Sequence, residues 1–283
     1  MKPADRHPCV AVFVLLGIFI ACFVYYSCFM PRILIVTDSI YNDAVIAHEQ
    51  GAICRKLLAR GMSEKVIELD SMDEPWKEKV TRRDLFVVLS PLVSRTASQL
   101  PVDTKIVSLA KGLDGASVVA DRGDEDDGWK QLADWLHYKG DPIYLIDSKA
   151  WTGSLEKADA FEAAFGTDGL TRIDCEGDEL QVYADDLAHT IGQKNVATVV
   201  VTGSKLLSLL SSSDTSLQFC VGQYQYASVP RSALSAIVAD DLPDFLASLK
   251  DGDSLLHQKV IDLQGGFRNW LQLSLQAVQE KLF

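Results

Sequence analysis

The sequence predicts an α/β protein of two doubly wound parallel-sheet lobes behind an N-terminal transmembrane helix. Three observations predict it. Short apolar runs alternate with longer stretches of helical spacing along most of the chain, the pattern of βαβ units that build parallel sheets. The triplet Gly140-Asp141-Pro142 interrupts this alternation and divides it into two series. Cys9 to Met30 carries no charged residue, and as a helix this run would reach about 33 Å, enough to cross the hydrocarbon core.

The first strand sets the pattern. Ile33, Leu34, Ile35 and Val36 are consecutive apolar residues, too few for a helix and not alternating, so they read as a strand buried on both faces. Thr37, Asp38 and Ser39 mark its carboxyl end, the place where open α/β sheets bind ligands. Ala44 to Arg60 has helical spacing and stops at Gly61. Lys65 to Leu69 completes a βαβ unit, and Leu85–Ser90, Lys105–Leu109 and Ser117–Asp121 continue the strands. Gly128 to Lys139 is an amphipathic helix carrying Trp129, Leu132, Ala133, Trp135 and Leu136.

A second series follows at once. Its strands are Ile143–Ile146, Thr171–Cys175, Ala197–Val201 and Leu217–Val221. Its helices run through Lys157 to Phe165, from Glu179 to Ile191 and from Ser204. Ser235–Val238, a helix over Leu242–Leu249, Lys259–Asp262 and an amphipathic helix over Phe267–Phe283 finish the chain.

Composition excludes several classes. A formal net charge of -12 argues against a nucleic-acid partner, because phosphate binding needs clustered Lys and Arg. The six cysteines and five histidines form no CxxC, HExxH or Cys/His spacing, which predicts neither zinc nor a disulfide framework. There is no GxSxG elbow and no GxGxxG fingerprint, so we expect no enzyme activity and no cofactor. Lys2, Arg6 and His7 precede the apolar run and only Arg32 follows closely. The positive-inside rule therefore leaves residues 1–8 as a cytoplasmic tail, makes 9–30 the anchor or signal segment and places the remainder outside. Phe19-Ile20-Ala21-Cys22 is an imperfect lipobox, so a lipoprotein cut before Cys22 stands beside the uncleaved anchor.

The order of these pieces resembles the type I periplasmic binding-protein fold, shared by sugar-type ABC substrate-binding proteins and LacI-group effector domains. Asp84-Leu-Phe-Val-Val-Leu-Ser-Pro91 is similar to the family's third strand, and Val119-Ala-Asp121 with Gly128 through Leu136 to its passage toward the second lobe. Glu156 to Phe161, Cys220-Val-Gly222 and Ala236 to Asp240 match later family motifs in order. The resemblance implies two lobes, 31–140 plus 231–250 and 141–230 plus 251–283, with crossings near Gly140, Pro230 and Gly252, closing over a small polar ligand. It implies a membrane-anchored solute receptor on the extracytoplasmic, periplasmic side of a bacterial cytoplasmic membrane, serving an ABC permease or a membrane sensor. The chain departs from the family's sugar anchors with Ala110, Thr202-Gly203, Tyr224 and Ala239. Loss of acidic anchors weakens sugar recognition, which relies on charge-assisted bonds to hydroxyls. A fold that has lost its ligand and serves as a protein-interaction module is therefore an alternative, and an anchored glycosyltransferase using Asp240-Asp241 is another.

Twelve residues at strand ends are candidates for ligand contact: Asp38, Ser39, Ser90, Ser94, Arg95, Lys111, Asp121, Arg122, Trp151, Lys157, Ser204 and Tyr224. Trp151 could stack on a flat ligand face or pack on its own lobe. Lys157 stands where the resemblance places a ligand-contacting Arg, and a solvated helix residue is its plain alternative. Thr202-Gly-Ser-Lys205 lies between a strand and a helix, where Ser204 could meet an anion or simply cap the helix. Asp124 to Asp127 fits the acidic first turn of the helix that follows.

Overall fold

The structure is a computed structural model describing residues 7–25, 29–71, 75–97, 105–110, 113, 115–124, 126–137, 143–148, 153–174, 188–190, 198–203, 217–252 and 255–263. The chain divides into two compact units. Unit 1 comprises Met1–Ser39, Gln50–Ala120 and Leu246–Ser254; unit 2 comprises Ile40–Glu49, Asp121–Phe245 and Leu255–Phe283.

Unit 1 begins with α1 (His7–Val24), an 18-residue helix. Its described apolar side chains are solvent-exposed, from 43% at Val24 to 68% at Phe19. At 1.5 Å per residue it rises about 27 Å, short of the roughly 30 Å hydrocarbon core. No helix among the described residues is long and apolar enough to cross a membrane. The segment expected to span, 9–30, includes 26–28, which lie outside the described residues.

The sheet of unit 1 is parallel, with β1 (Arg32–Asp38), β2 (Ser63–Leu69), β3 (Asp84–Leu89), β4 (Ile106–Ser108) and β5 (Val118–Val119) in the order β2-β1-β3-β4-β5. β1 is buried on both faces, as its unbroken apolar run requires. Leu34 and Val36 pack with Ile67, Leu69, Trp76, Val87 and Leu89. Ile33 and Ile35, which alternation turns the other way, are equally buried. The helix after β1 starts earlier than the sequence predicts: Ser39–Tyr41 opens it, a π-turn occupies Asn42–Ile46, and α2 (Ala47–Ala59) follows. β3 leads through Ser90 into the short helix α3 (Pro91–Thr96).

One ion pair fixes where β1 and β3 begin. Arg32 Nε and Nη2 donate to Asp84 Oδ1 and Oδ2 at 2.6 and 3.0 Å. The Thr81 N–H and hydroxyl add bonds of 2.7 and 2.9 Å to Oδ2. Burial works to raise the Asp84 pKa, but the donors from Arg32 and Thr81 outweigh it and hold the carboxyl below its ordinary value.

Unit 2 opens with β6 (Asp121–Arg122), which pairs in parallel with the later β12 (Leu255–Leu256). Helix α4 (Asp127–His137) comes next. The main sheet contains β7 (Ile143–Asp147), β8 (Leu170–Asp174), β9 (Thr198–Val201), β10 (Gln218–Gly222), β11 (Leu234–Asp240) and β13 (Gln258–Asp262), in the order β13-β11-β10-β9-β7-β8. All pairs are parallel except β11 with β13. Helix α5 (Ser154–Phe165) packs with α4 on one core of Trp129, Leu132, Leu136, Leu145, Phe161 and Val200. Helix α6 (Leu242–Ser248) follows β11.

Three expectations change. Residues 121–137 belong to unit 2, not to the first lobe, because the apolar face of α4 is buried among β7, β9 and α5. Residues 234–240 also belong to unit 2: β11 is buried along its whole length and needs a neighbour on each side, supplied by β10 and β13. The boundaries consequently fall after Ala120, Phe245 and Ser254 in place of Gly140, Pro230 and Gly252, apart from the excursion of Ile40–Glu49 into unit 2. The last strand runs antiparallel where a parallel series was expected. Residues 138–142, the expected helix from Ser204 and the helix over Phe267–Phe283 lie outside the described residues. Of 179–191 only 188–190 are described, and these are helical.

Gly128 makes the close approach of α4 to the sheet possible. A Cβ there would sit 2.5 Å from Val238 Cγ1 and 2.9 Å from Gln258 Cβ. Gly128→Ala should therefore destabilise by about 1–3 kcal/mol through overpacking, read as a lower urea midpoint. The depressed pKa of Asp84 gives a second test. The unfolded chain takes up this proton before the folded one does, so the stabilisation is complete above the ordinary carboxylate pKa of about 4 and is lost as pH falls through the folded value. Asp84→Asn should lower stability at pH 7 and flatten its decline between about pH 5 and pH 3, measured by denaturation across pH.

Candidate ligand-binding strand ends

In each unit the chain leaves the first central strand toward one side of the sheet and the next toward the other, opening a switch point at the strands' carboxyl ends. In unit 1 this point lies between β1 and β3. Ser90 Oγ donates to Asp38 Oδ2 at 2.7 Å, and both residues are buried. Ser94, also buried, donates to the Leu89 carbonyl at 3.0 Å, closing the first turn of α3 onto β3. Ser39 and Arg95 are exposed. Of the unit 1 candidates the structure therefore brings Asp38 and Ser90 together, turns Ser94 inward and leaves Ser39 and Arg95 at the surface. Lys111 lies outside the described residues.

In unit 2 the switch point lies between β7 and β9. Ser154, first residue of α5, accepts the Ser148 N–H at 3.1 Å and shares a 2.9 Å bond with Thr202 Oγ1. Its own hydroxyl also reaches the Gly203 carbonyl at 3.3 Å. Gly153 caps this helix with φ +75°, and the Lys157 ammonium lies 3.6 Å from where a Cβ on Gly153 would stand. Lys157 is thus folded back over the helix start. Asp147, fully buried at the tip of β7, is held by Arg172 Nε at 2.6 Å, and the same guanidinium pairs with Asp159 and Glu162. Burial works against the charge on Arg172, and these carboxylates outweigh it. Trp151 and Ser204 lie outside the described residues.

The densest polar arrangement surrounds Asp240, at the end of β11 and 0% exposed. Arg122 Nη1 and Nη2 donate to its two oxygens at 2.7 and 3.2 Å. Tyr41 donates its hydroxyl at 2.9 Å and Gln223 its amide at 3.0 Å. The Asp240 N–H in turn donates to Gln223 Oε1 at 2.9 Å. Burial, then the Asp240 charge, raises the Tyr41 pKa well above its ordinary value, so the phenol stays a donor. Burial works to lower the Arg122 pKa, but Asp240 outweighs it and keeps the guanidinium charged. Arg122 is therefore placed against a carboxylate of its own chain. Asp121 beside it is exposed, and Tyr224 is 54% exposed. Asp241 pairs with Lys259 at 3.0 Å, and Lys259 with Glu49 at 2.8 Å. Both members of the acidic pair expected to suit a metal-dependent glycosyltransferase are thus already engaged with side chains of unit 2.

Sequence reasoning missed Asp147, Arg172, Tyr41 and Gln223. The polar tip of the β7 run could have marked Asp147. Nothing local marks the others, because their partners lie far away in sequence.

No family model and no curated protein matches the chain. Among solved structures, AraP, an arabinose binding protein from Geobacillus stearothermophilus, matches with a TM-score of 0.52 at 11% identity, covering 84% of this chain and 99% of that one. The chain has the type I periplasmic binding-protein fold. An ABC transporter solute binding protein from a Bradyrhizobium species, solved with bound bis-tris, has a TM-score of 0.48 at 13% identity, covering 85% of each chain. A LacI transcriptional regulator from a Rhodococcus species has 0.42 at 16%, covering 82% of this chain and 96% of its own. The shared fold is seen in the parallel strand order of the two sheets.

The Arg122–Asp240 pair gives a direct test. Arg122→Ala would leave a buried carboxylate without its counter-charge, so we expect a loss of about 3–5 kcal/mol, measured by equilibrium unfolding.

Proposed function

We propose that the protein is a non-enzymatic solute receptor that binds a small polar ligand at the carboxyl ends of its strands. The observation that carries this reading is the pair of switch points, each edged by hydroxyl and carboxylate side chains, within a fold shared with the arabinose binding protein. The apolar segment 9–30 would tether it to a bacterial cytoplasmic membrane with both units on the extracytoplasmic side. There it would pass its ligand to an ABC permease or report it to a membrane sensor.

A second reading, a protein-interaction module, has its own support: Asp38, Asp147 and Asp240 are all held by side chains of their own unit. The test is a thermal-shift screen of the full chain with sugars, nucleosides and amino acids. A ligand at a hundred times its Kd should add about 2.7 kcal/mol, several degrees in Tm. If no class moved Tm, the module reading would replace the receptor. For the tether, we expect the protein in the membrane fraction after alkaline carbonate washing, with the mass of either an intact N-terminus or a lipid-modified Cys22. Recovery in the soluble fraction would remove it.

A further inference from the structure

Resting on the tether reading, the place where the apolar segment joins unit 1 gains a function of its own. The parallel order of the unit 1 sheet puts the amino ends of β1, β3 and β4 along one edge, and the chain arrives at that edge directly from the apolar segment. The junction is fixed by hydrogen bonds. The Met30 N–H donates to the Tyr25 carbonyl at 2.9 Å, and Arg83 Nη2 and Nε donate to the Met30 carbonyl at 3.0 and 3.3 Å. The Arg32 N–H donates to the Arg83 carbonyl and the Ser63 N–H to the Pro31 carbonyl, both at 2.9 Å, so residues 30–32 are bonded to the chain before β3 on one side and to β2 on the other. Tyr25 and Phe29, just before this junction, stay exposed.

The same edge is basic. Among the described residues leading into β1, β3 and β4 (29–31, 75–83 and 105), Glu78 is the only acidic one, against Lys77, Lys79, Arg82, Arg83 and Lys105. Lys79, Arg82 and Lys105 are exposed, and the Lys105 ammonium stands 5.5 Å from the centre of the Phe86 ring at the start of β3. The acid that follows, Asp84, is already held by Arg32 and Thr81. A chain of net charge -12 is repelled as a whole by an anionic bilayer, so only a face of opposite sign can settle on one. The fixed junction sets that face where the apolar segment would leave the lipid. We propose that the amino edge of the unit 1 sheet is a docking face for anionic phospholipid headgroups, with Arg82 and Lys105 as its phosphate contacts.

Amine footprinting of the full chain tests this, in lipid nanodiscs of phosphatidylcholine alone and of an equal mixture of phosphatidylcholine and phosphatidylglycerol. Acylation of each lysine is followed by mass spectrometry, with Lys130 on α4 as the internal control. A cation at an anionic surface shifts the docked-to-free ratio about fivefold, so Lys105 should react about fivefold more slowly in the phosphatidylglycerol discs while Lys130 is unchanged. The difference should vanish in about 1 M salt, where charges are screened beyond about 3 Å. Arg82→Gln, with unchanged Tm, should return much of the Lys105 reactivity, and Arg82→Lys should keep the protection. Equal Lys105 rates in the two lipids, with the protein still in the discs, would overturn the docking face and spare the tether. Protection that Arg82→Gln leaves unchanged would overturn it as well. A chain that stays in neither kind of disc would remove the tether and the docking face with it.

Discussion

The organisation of unit 2 depends on one buried charge. A carboxylate removed from water is tolerated only when donors replace its hydration, and Asp240 has them from Arg122, Tyr41 and Gln223. These donors come from β6, from the segment Ile40–Glu49 and from the turn after β10. Meeting the needs of one carboxylate thus fixes three pieces of chain that are remote in sequence. The raised pKa of Tyr41 and the persistent charge on Arg122 mean that the arrangement keeps its donors throughout the neutral range.

The same economy recurs at the other strand ends. Asp147 is matched by Arg172, Asp38 by Ser90, and Ser154 by Ser148, Thr202 and Gly203. Polar side chains at a switch point can face a ligand or finish the architecture, and here the carboxylates do the second. The resemblance read from the sequence implies the same, since Ala110, Thr202, Tyr224 and Ala239 stand where it would place anchors for sugar hydroxyls.

The strands were legible because burial on both faces demands uninterrupted apolar runs, and such runs are too short to be mistaken for helices. Their membership was not. A fully apolar strand such as β11 fits the interior of any sheet, and only its pairing with β10 and β13 assigns it. Strand direction leaves no mark on a period of two, so the antiparallel β13 could not be foreseen. Gly140-Asp141-Pro142 is a strong turn signal, yet the boundary is decided upstream by where the apolar face of α4 is buried. Among the site residues, Arg122 was found by its place after a strand, but its partner is 118 residues away. Gln223 and Gln225 look like surface residues until the neighbouring strand ends supply bonds to bury them.

The chemistry of those two glutamines explains why amides stand there. Gln223 must donate to the Asp240 carboxylate while accepting the Asp240 N–H. A carboxylate in its place would repel Asp240, and an ammonium could not accept, whereas an amide offers a donor and an acceptor on one planar group. Gln225 meets the same demand with a carbonyl and an N–H at the end of β9. β9 and β11 flank β10 on its two sides, so a single turn closes the ends of three adjacent strands. Flexibility in that turn would leave buried backbone groups without their bonds, which costs about 1–3 kcal/mol for each. The path of the turn Gln223–Ser228 is therefore set by the requirements of the strand ends beneath it, at Val201 and Gly203 on one side and Asp240 on the other.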